Sequence, residues 1–284
     1  MRLVGLLCIL LAVAAILAGL MLRPGDAAGP CVVASRSLLP EVDEASGLAL
    51  SRRTPGVVWT HNDSGHRAEL FAVDVTGARR GRVRVPVVTR DWEDISAARC
   101  GTGNCLYIAD IGDNRLARSN IRIHRVPEPA PGDAETSQPA VLTATYANGP
   151  HNAEALFVIG DDLFIVTRER LGGLYRSRRS RPESLELTFE RIGELGLAPV
   201  SDAEATPDEE LVVVRTSKVA VLYRTVDVLR GGAVPEVLRI PLESLKEPQG
   251  EGVALDSAGM LYLSSEGRPW NRAGRFVSLR CTLP

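Results

Sequence analysis

After residue 30 the chain is built from short apolar runs cut by polar and turn-forming residues. VVWTHND, CLYIADI, DLFIVTRE, LVVVRTS and MLYLSSEG are rich in β-branched and aromatic residues, the composition of buried strands. Each is followed by a second run (ELFAVDV, NIRIHRV, GGLYRSR, VAVLYRT, GRFVSLR), and the first four by a third (GRVRVPVV, AVLTATYA, LTFERIG, VPEVLRI). Gly, Pro, Asn and Asp fill the gaps, and no long segment repeats at helical spacing. Each group opens on a phrase that begins with glutamate: EASGLAL at 44, EDISAAR at 93, EALFVIG at 154, EATPDEE at 204 and EGVALDS at 251.

The glutamates recur at steps of 49, 61, 50 and 47 residues. Four strands per unit at a period near 50 predict an all-β fold, a β-propeller of four-stranded blades. A β-sandwich would not return a glutamate to the start of every unit. Five blades account for the five phrases. A sixth would require the insert PEPAPGDAETSQP, inside the 61-residue step, to hide another sheet, and its proline-rich acidic character reads as a loop. The fifth unit ends at GRFVSLRCTLP without a last strand, while CVVASRSLL near residue 31 has no unit of its own. An N-terminal outer strand closing the ring resolves both.

The first 29 residues stand apart. One arginine, about twenty apolar residues and a Pro/Gly/Ala break form an export signal or, at a length able to span a bilayer, a retained anchor. Pro30 breaks the small-residue box that would make Cys31 a lipoprotein site. Residues 30–284 are then one propeller domain in an extracytoplasmic space, secreted, periplasmic or anchored facing outward. Beyond Cys8 in the apolar run there are four cysteines, an even set suited to an oxidising compartment. Cys100 and Cys105 flank the turn GTGN, so a hairpin staple is expected. Cys31 with Cys281 remains, and ring closure seats those two together. CGTGNC lacks a second Cys/His pair of zinc-site spacing. The 284 residues are 45% hydrophobic and 24% charged at net −2, ordinary globular composition with no basic excess to attract nucleic acid. The expected state is a monomer that meets a membrane only through its N-terminal segment.

In a propeller the first strand of each blade lines the channel and starts at one mouth. Glu44, Glu93, Glu154, Glu204 and Glu251 therefore converge. Second-strand ends add Asn62, Asp63, Asp110, Asp113, Asn114, Glu169 and Glu266, with Arg168 and Arg215 on units three and four. Unit two is densest, with Asp91, Glu93, Asp94, Asp110 and Asp113. Converging carboxylates must take up protons, pair with cations or hold a metal. Two readings stand: the acids cap backbone amides with arginine neutralisation, or they bind Ca2+, which suits hard oxygen donors. The candidate ligands are Glu93, Asp110, Asp113 and Glu251; Glu44, Asp63, Glu154, Arg168, Glu204, Arg215 and Glu266 are candidate mouth residues. DIGDN does not meet the EF-hand positions. His61 and His66 bracket NDSG near the mouth, whereas His124, alternating within a strand, reads as a surface residue. Trp59, Trp92 and Trp270 fall near repeat ends, to pack under blades or stack on a ligand. No nucleophile elbow, Walker loop or dinucleotide loop is present.

EASGLAL, DWEDI, IADIGDN and QGEGVALDSAGMLYLSSEG resemble motifs of secreted bacterial β-propellers: the β-propeller phytases, the esterase-like phytase-type proteins and the SdiA-regulated propellers. The last phrase is most similar to the phytase-type pattern. The resemblance implies that Glu251 and Glu266 are Ca2+ or active-mouth acids, with Asp110 and Asp113 matching less fully. The chain departs from that pattern at the basic phosphate-binding positions, where it offers Arg168, Arg215 and Lys218. Two functions follow. One is an exported binding propeller whose acidic mouth, with Ca2+, recognises a small anionic ligand or a cell-envelope partner. The other is a Ca2+-dependent hydrolase of a phosphoester or lactone, with a mouth carboxylate activating water and Arg168 or Arg215 holding an anionic group. No residue is marked as catalytic by pattern alone.

Overall fold

The computed structural model describes residues 27–178, 184–268 and 273–284. The apolar stretch read as signal or anchor, up to residue 26, and Trp270 lie outside the described residues. No helix among the described residues is long and apolar enough to cross a membrane.

Two N-terminal strands, β1 (Ala27–Ala28) and β2 (Cys31–Leu39), precede the first unit, which contains β3 (Ala45–Leu50), β4 (Val57–Asn62), β5 (Glu69–Asp74) and β6 (Arg79–Arg84). The second unit is β7 (Trp92–Cys100), β8 (Gly103–Asp110), β9 (Ile121–Pro127) and β10 (Ala140–Tyr146). The third is β11 (Ala153–Ile159), β12 (Asp162–Thr167), β13 (Gly173–Ser177) and β14 (Glu186–Glu194). The fourth is β15 (Asp202–Ala205), β16 (Leu211–Arg215) and β17 (Val219–Arg224), then a short helix (Thr225–Arg230), β18 (Gly232–Ala233) and β19 (Glu236–Pro241). β20 (Gly250–Leu255), β21 (Met260–Ser265) and β22 (Gly274–Cys281) follow, and β2 pairs antiparallel with β22 as the fourth strand of this last unit.

The inner strands touch in ring order, β3 to β7 to β11 to β15 to β20 and back to β3. Five hydrophobic clusters fill the five seams, among them Trp59, Ile95 and Ile108 between units one and two and Leu48, Phe71 and Phe276 between units five and one. Inner strands such as AEALFVI are buried at every position because both faces meet another blade. Outer strands such as β14 alternate, with one face in water. The propeller expectation therefore holds. The PEPAP insert forms no sheet: it runs outside the strands apart from one bridge between Arg84 and Glu135. On the outer edge β10 and β14 pair in parallel from Thr143↔Glu186 to Tyr146↔Phe189, joining units two and three.

DVTGA and DSAGM show how local sequence sets hairpins. The Asp74 carboxylate accepts from the amides of Thr76 (2.9 Å) and Ala78 (3.1 Å), and Asp256 does the same for Ala258 (2.9 Å) and Met260 (2.8 Å). Gly77 (φ +84) and Gly259 (φ +85) take the left-handed position each turn requires. Cys31–Cys281 clamps the closing strand to β22, and Cys100–Cys105 closes the β7–β8 hairpin. The first bridge spans 250 residues, and restricting an unfolded chain over so long a loop stabilises a fold by roughly 3–5 kcal/mol.

Candidate cation site at the channel mouth

Four inner strands open on an irregular pairing with their second strand, between Ala45 and Leu48, Trp92 and Asp94, Ala153 and Ala155, and Gly250 and Val253. A bulge re-aims the side chain at its position, and here it falls on or beside Glu44, Glu93, Glu154 and Glu251. β15 pairs regularly with β16. Its glutamate, Glu204, is the third residue of the strand and lies deeper in the channel, against β7. There Ser96 Oγ donates to it at 2.6 Å and the Ala97 amide at 3.2 Å.

At the centre of the mouth, carboxylate oxygens of Asp63, Asp91 and Glu93 lie within 4.8 Å of one another. Asp63 follows β4 and is held by its amide donating to Glu44 O at 2.9 Å; its own carboxylate accepts from Ser64 N. Asp91 precedes β7, and its amide donates to Asp110 Oδ1 at 3.1 Å. Glu93 is 7% exposed; burial and four neighbouring acids act on its carboxylate, and Arg168, paired with Glu154, reaches it through its field. Gly112 packs directly on the group: a methyl there would overlap Glu93 Oε1 and Asp91 Oδ2. The result is a cradle of oxygens that any side chain at 112 would fill.

Burial pushes the Glu93 carboxyl up to about 11, reinforced by repulsion from Asp63, Glu154, Asp91 and Glu251. Burial also raises Asp63 and Asp91, and takes Glu251 to about 7. Glu154 is raised by burial although Arg168 pairs with it, and Glu266 is raised by burial and by Glu44 and Asp63. At the rim His66 stands between Asp43 (3.2 Å) and Glu44 (3.3 Å). Asn62 fixes that rim by accepting from Glu44 N at 3.0 Å and donating to Glu41 O at 3.2 Å. Glu169 is bonded to His151 at 2.7 Å. Crowded ionised carboxylates with so little positive charge among them favour protons or a cation.

A second tier lies below. Asp94 accepts from the amides of Ile95 and Leu156, both at 2.6 Å, and Asp202 Oδ2 from Leu48 N (3.2 Å) and Val253 N. These two acids thus tie together the inner strands of all five units. Burial and each other's charge hold Asp94 well above its ordinary range; burial takes Asp202 to about 7 and Glu204 to about 8. Asp202 Oδ1 is enclosed without a donor while both acids are ionised; a proton on Asp94 supplies one. At the far end Arg52 donates to the carbonyls of Ala97 (3.1 Å), Thr206 (3.4 Å) and Pro207, drawing β3, β7 and β15 together.

Several candidate residues are placed elsewhere. Asp110 and Asp113 do not face the three-acid group. Arg118 Nη2 donates to Asp110 Oδ1 at 3.0 Å, and Asp113 accepts from the amides of Ala117 (3.0 Å) and Arg118 (2.8 Å). Asp63 and Asp91 stand where those two were expected. Arg215 is fully buried between units four and five, donating to Gly252 O (2.8 Å) and Ser264 O (3.0 Å) and paired with Glu247. His124 is a correction: it is 1% exposed, because its face of β9 packs on Trp92, with Nε2 3.7 Å from Asp110 Oδ2. His61 is also enclosed, and burial lowers it to about 4, so it stays neutral. Trp59 and Trp92 are core residues. Arg118 lies outside every phrase that stood out in the sequence, and Gly112, although it falls within IADIGDN, carried no sign there of the cradle it keeps open.

No family model and no curated protein matches the chain. Among solved structures it is similar to the major allergen Mala s 1 of Malassezia sympodialis, at TM-score 0.54 and 11% identity over 87% of this chain and 95% of that one. It is also similar to a gluconolactonase of Xanthomonas campestris, at TM-score 0.50 and 11% identity over 92% and 93%. At such identity these likenesses show the fold, a β-propeller. The narrower resemblance to phytase-type or SdiA-regulated propellers rests on the short motifs alone.

Proposed function

We propose that this protein is an exported β-propeller that holds a divalent cation, Ca2+ by its ligand chemistry, at the channel mouth and binds a small oxygen-donor ligand through it. The observation that carries this is Glu93, buried and with no salt-bridge partner among the described residues, grouped with Asp63 and Asp91 around a space kept open by Gly112. Three carboxylates are hard donors of the kind Ca2+ prefers, and its usual six to eight oxygens leave room for a ligand. The two disulfides fit an oxidising, extracytoplasmic setting. Glu44, Glu251 and Glu266 surround the site, so its field stays negative with one cation in place. That disfavours a polyanionic phosphoester and favours a neutral carbonyl or a single carboxylate, on a small molecule or a cell-envelope partner. Calorimetric titration of the mature chain should show one Ca2+ bound, with affinity rising from pH 6 to pH 8 as protons are displaced. Absence of binding heat for Ca2+, Mg2+ and Mn2+ alike would remove the reading.

A second reading, metal-assisted hydrolysis of a lactone or other ester, is favoured by Glu251, whose carboxyl near 7 can exchange a proton at neutral pH. A bound cation would polarise the carbonyl. Glu251 would accept the proton of the attacking water, and Arg168, tethered to Glu154, would orient the substrate's polar end. A gluconolactonase lies among the fold neighbours, and a lactone carries no charge for this mouth to repel. Lactone hydrolysis that needs Ca2+ and is lost in Glu251→Gln would separate this reading from simple binding.

A further inference from the structure

We infer that Arg118 is the positioning residue of the cation cluster, acting on Asp91 and Glu93 through Asp110 and Gly112; the inference rests on the cation reading above. The Arg118 side chain is 3% exposed and reaches two groups that abut the cluster. Nη1 donates to Gly112 O at 2.8 Å, fixing the backbone against which the Asp91 and Glu93 carboxylates lie. Nη2 donates to Asp110 Oδ1 at 3.0 Å, and the same oxygen accepts the Asp91 amide at 3.1 Å. One planar guanidinium therefore sets both the backbone that carries Asp91 and the wall that faces it. A fork of fixed geometry suits this task, and a lysine ammonium could satisfy one acceptor at a time.

The surrounding loop supports the same arrangement. Asp113 gathers the amides of Ala117 and Arg118, so the chain returns with Arg118 pointing inward. The Asp113 amide donates to Asn152 Oδ1 at 2.9 Å, anchoring the loop to the third unit. Asp110 and Asp113, which have the right chemistry to be ligands, serve instead as the outer layer that orients Asp91. Outer-layer partners of this kind commonly change metal affinity tenfold to a hundredfold when removed.

The test uses Tb3+ in place of Ca2+, with emission excited through tryptophan and Ca2+ added in competition, on the whole mature chain below its melting temperature. Arg118→Met is expected to weaken Tb3+ and Ca2+ binding at least tenfold, and Arg118→Lys to recover part of that loss. Gly112→Ala, which leaves the Arg118–Asp110 pair intact, is expected to weaken binding to a similar degree by filling the cradle. Should Arg118→Met fail to fold, Arg118→Lys and Gly112→Ala carry the test. Parent-like affinity in the Arg118 variants, with binding lost in Glu93→Gln, would overturn the inference and leave the cation site standing. A parent chain that binds neither ion would overturn both.

Discussion

Glu93→Gln is expected to raise the melting temperature of the calcium-free protein and to abolish its response to calcium. The Glu93 carboxyl stands near 11 in the fold against an ordinary 4.5, chiefly because burial penalises its charge. At pH 7 the folded chain must hold a proton that the unfolded chain releases, a linkage cost of about 3 kcal/mol. Glutamine carries no such cost. For a domain of this size that corresponds to roughly 6–12 °C. In the parent, calcium takes the proton's place, and at a hundredfold excess over Kd it adds about 2.7 kcal/mol. The alternative, in which the mouth acids only cap amides, makes the opposite forecast: a parent indifferent to calcium and a variant no more stable than the parent. Scanning calorimetry of both proteins in calcium and in chelator decides between them.

Denaturant unfolding in chelator should show stability falling as pH rises from about 5 to 8, the reverse of ordinary acid denaturation. Asp202, near 7 in the fold, and Glu204, near 8, both lie above their ordinary values of 3.8 and 4.5, and Asp94 is raised as well. A carboxyl raised by folding gives the folded state the tighter hold on its proton. Its contribution is therefore full below the unfolded value and is lost as pH rises through the folded one. For one acid shifted as far as Asp202 the loss is about 3 kcal/mol over the window. Asp74 and Asp110 are lowered instead, so their contributions fade only on acidification below the ordinary carboxylate range. Asp202→Asn should make the fall shallower, Glu93 and Glu204 keeping their share: the asparagine carbonyl still accepts from Leu48 and Val253, and its amide can donate to an ionised Asp94. A parent whose stability is level or rising across that window in chelator would show that the inner acids hold no shared proton.

The repeat phrases, the strand runs and the turn residues lie within stretches of ten residues or fewer, and for that reason the sequence by itself determined the propeller, the strand that closes it and the acidic mouth. Alternation and turn chemistry act between near neighbours, and the 50-residue period multiplies their signal. The pairing of Cys31 with Cys281 was legible because closure and cysteine parity require the same contact. Which acids meet was decided only by the tertiary structure. Asp63, Asp91, Asp110 and Asp113 are alike in type and all border strands at the same mouth, yet Arg118 draws the last two away from the cluster. Glu204 bears the repeat's glutamate but sits deeper, because β15 lacks the bulge that displaces its counterparts by a residue. Asp94 and Asp202 meet across the channel from positions 108 residues apart. Side-chain direction in a strand reverses with each residue, so one bulge decides whether a carboxylate faces the axis. That choice is made by packing between blades, where no local pattern reaches.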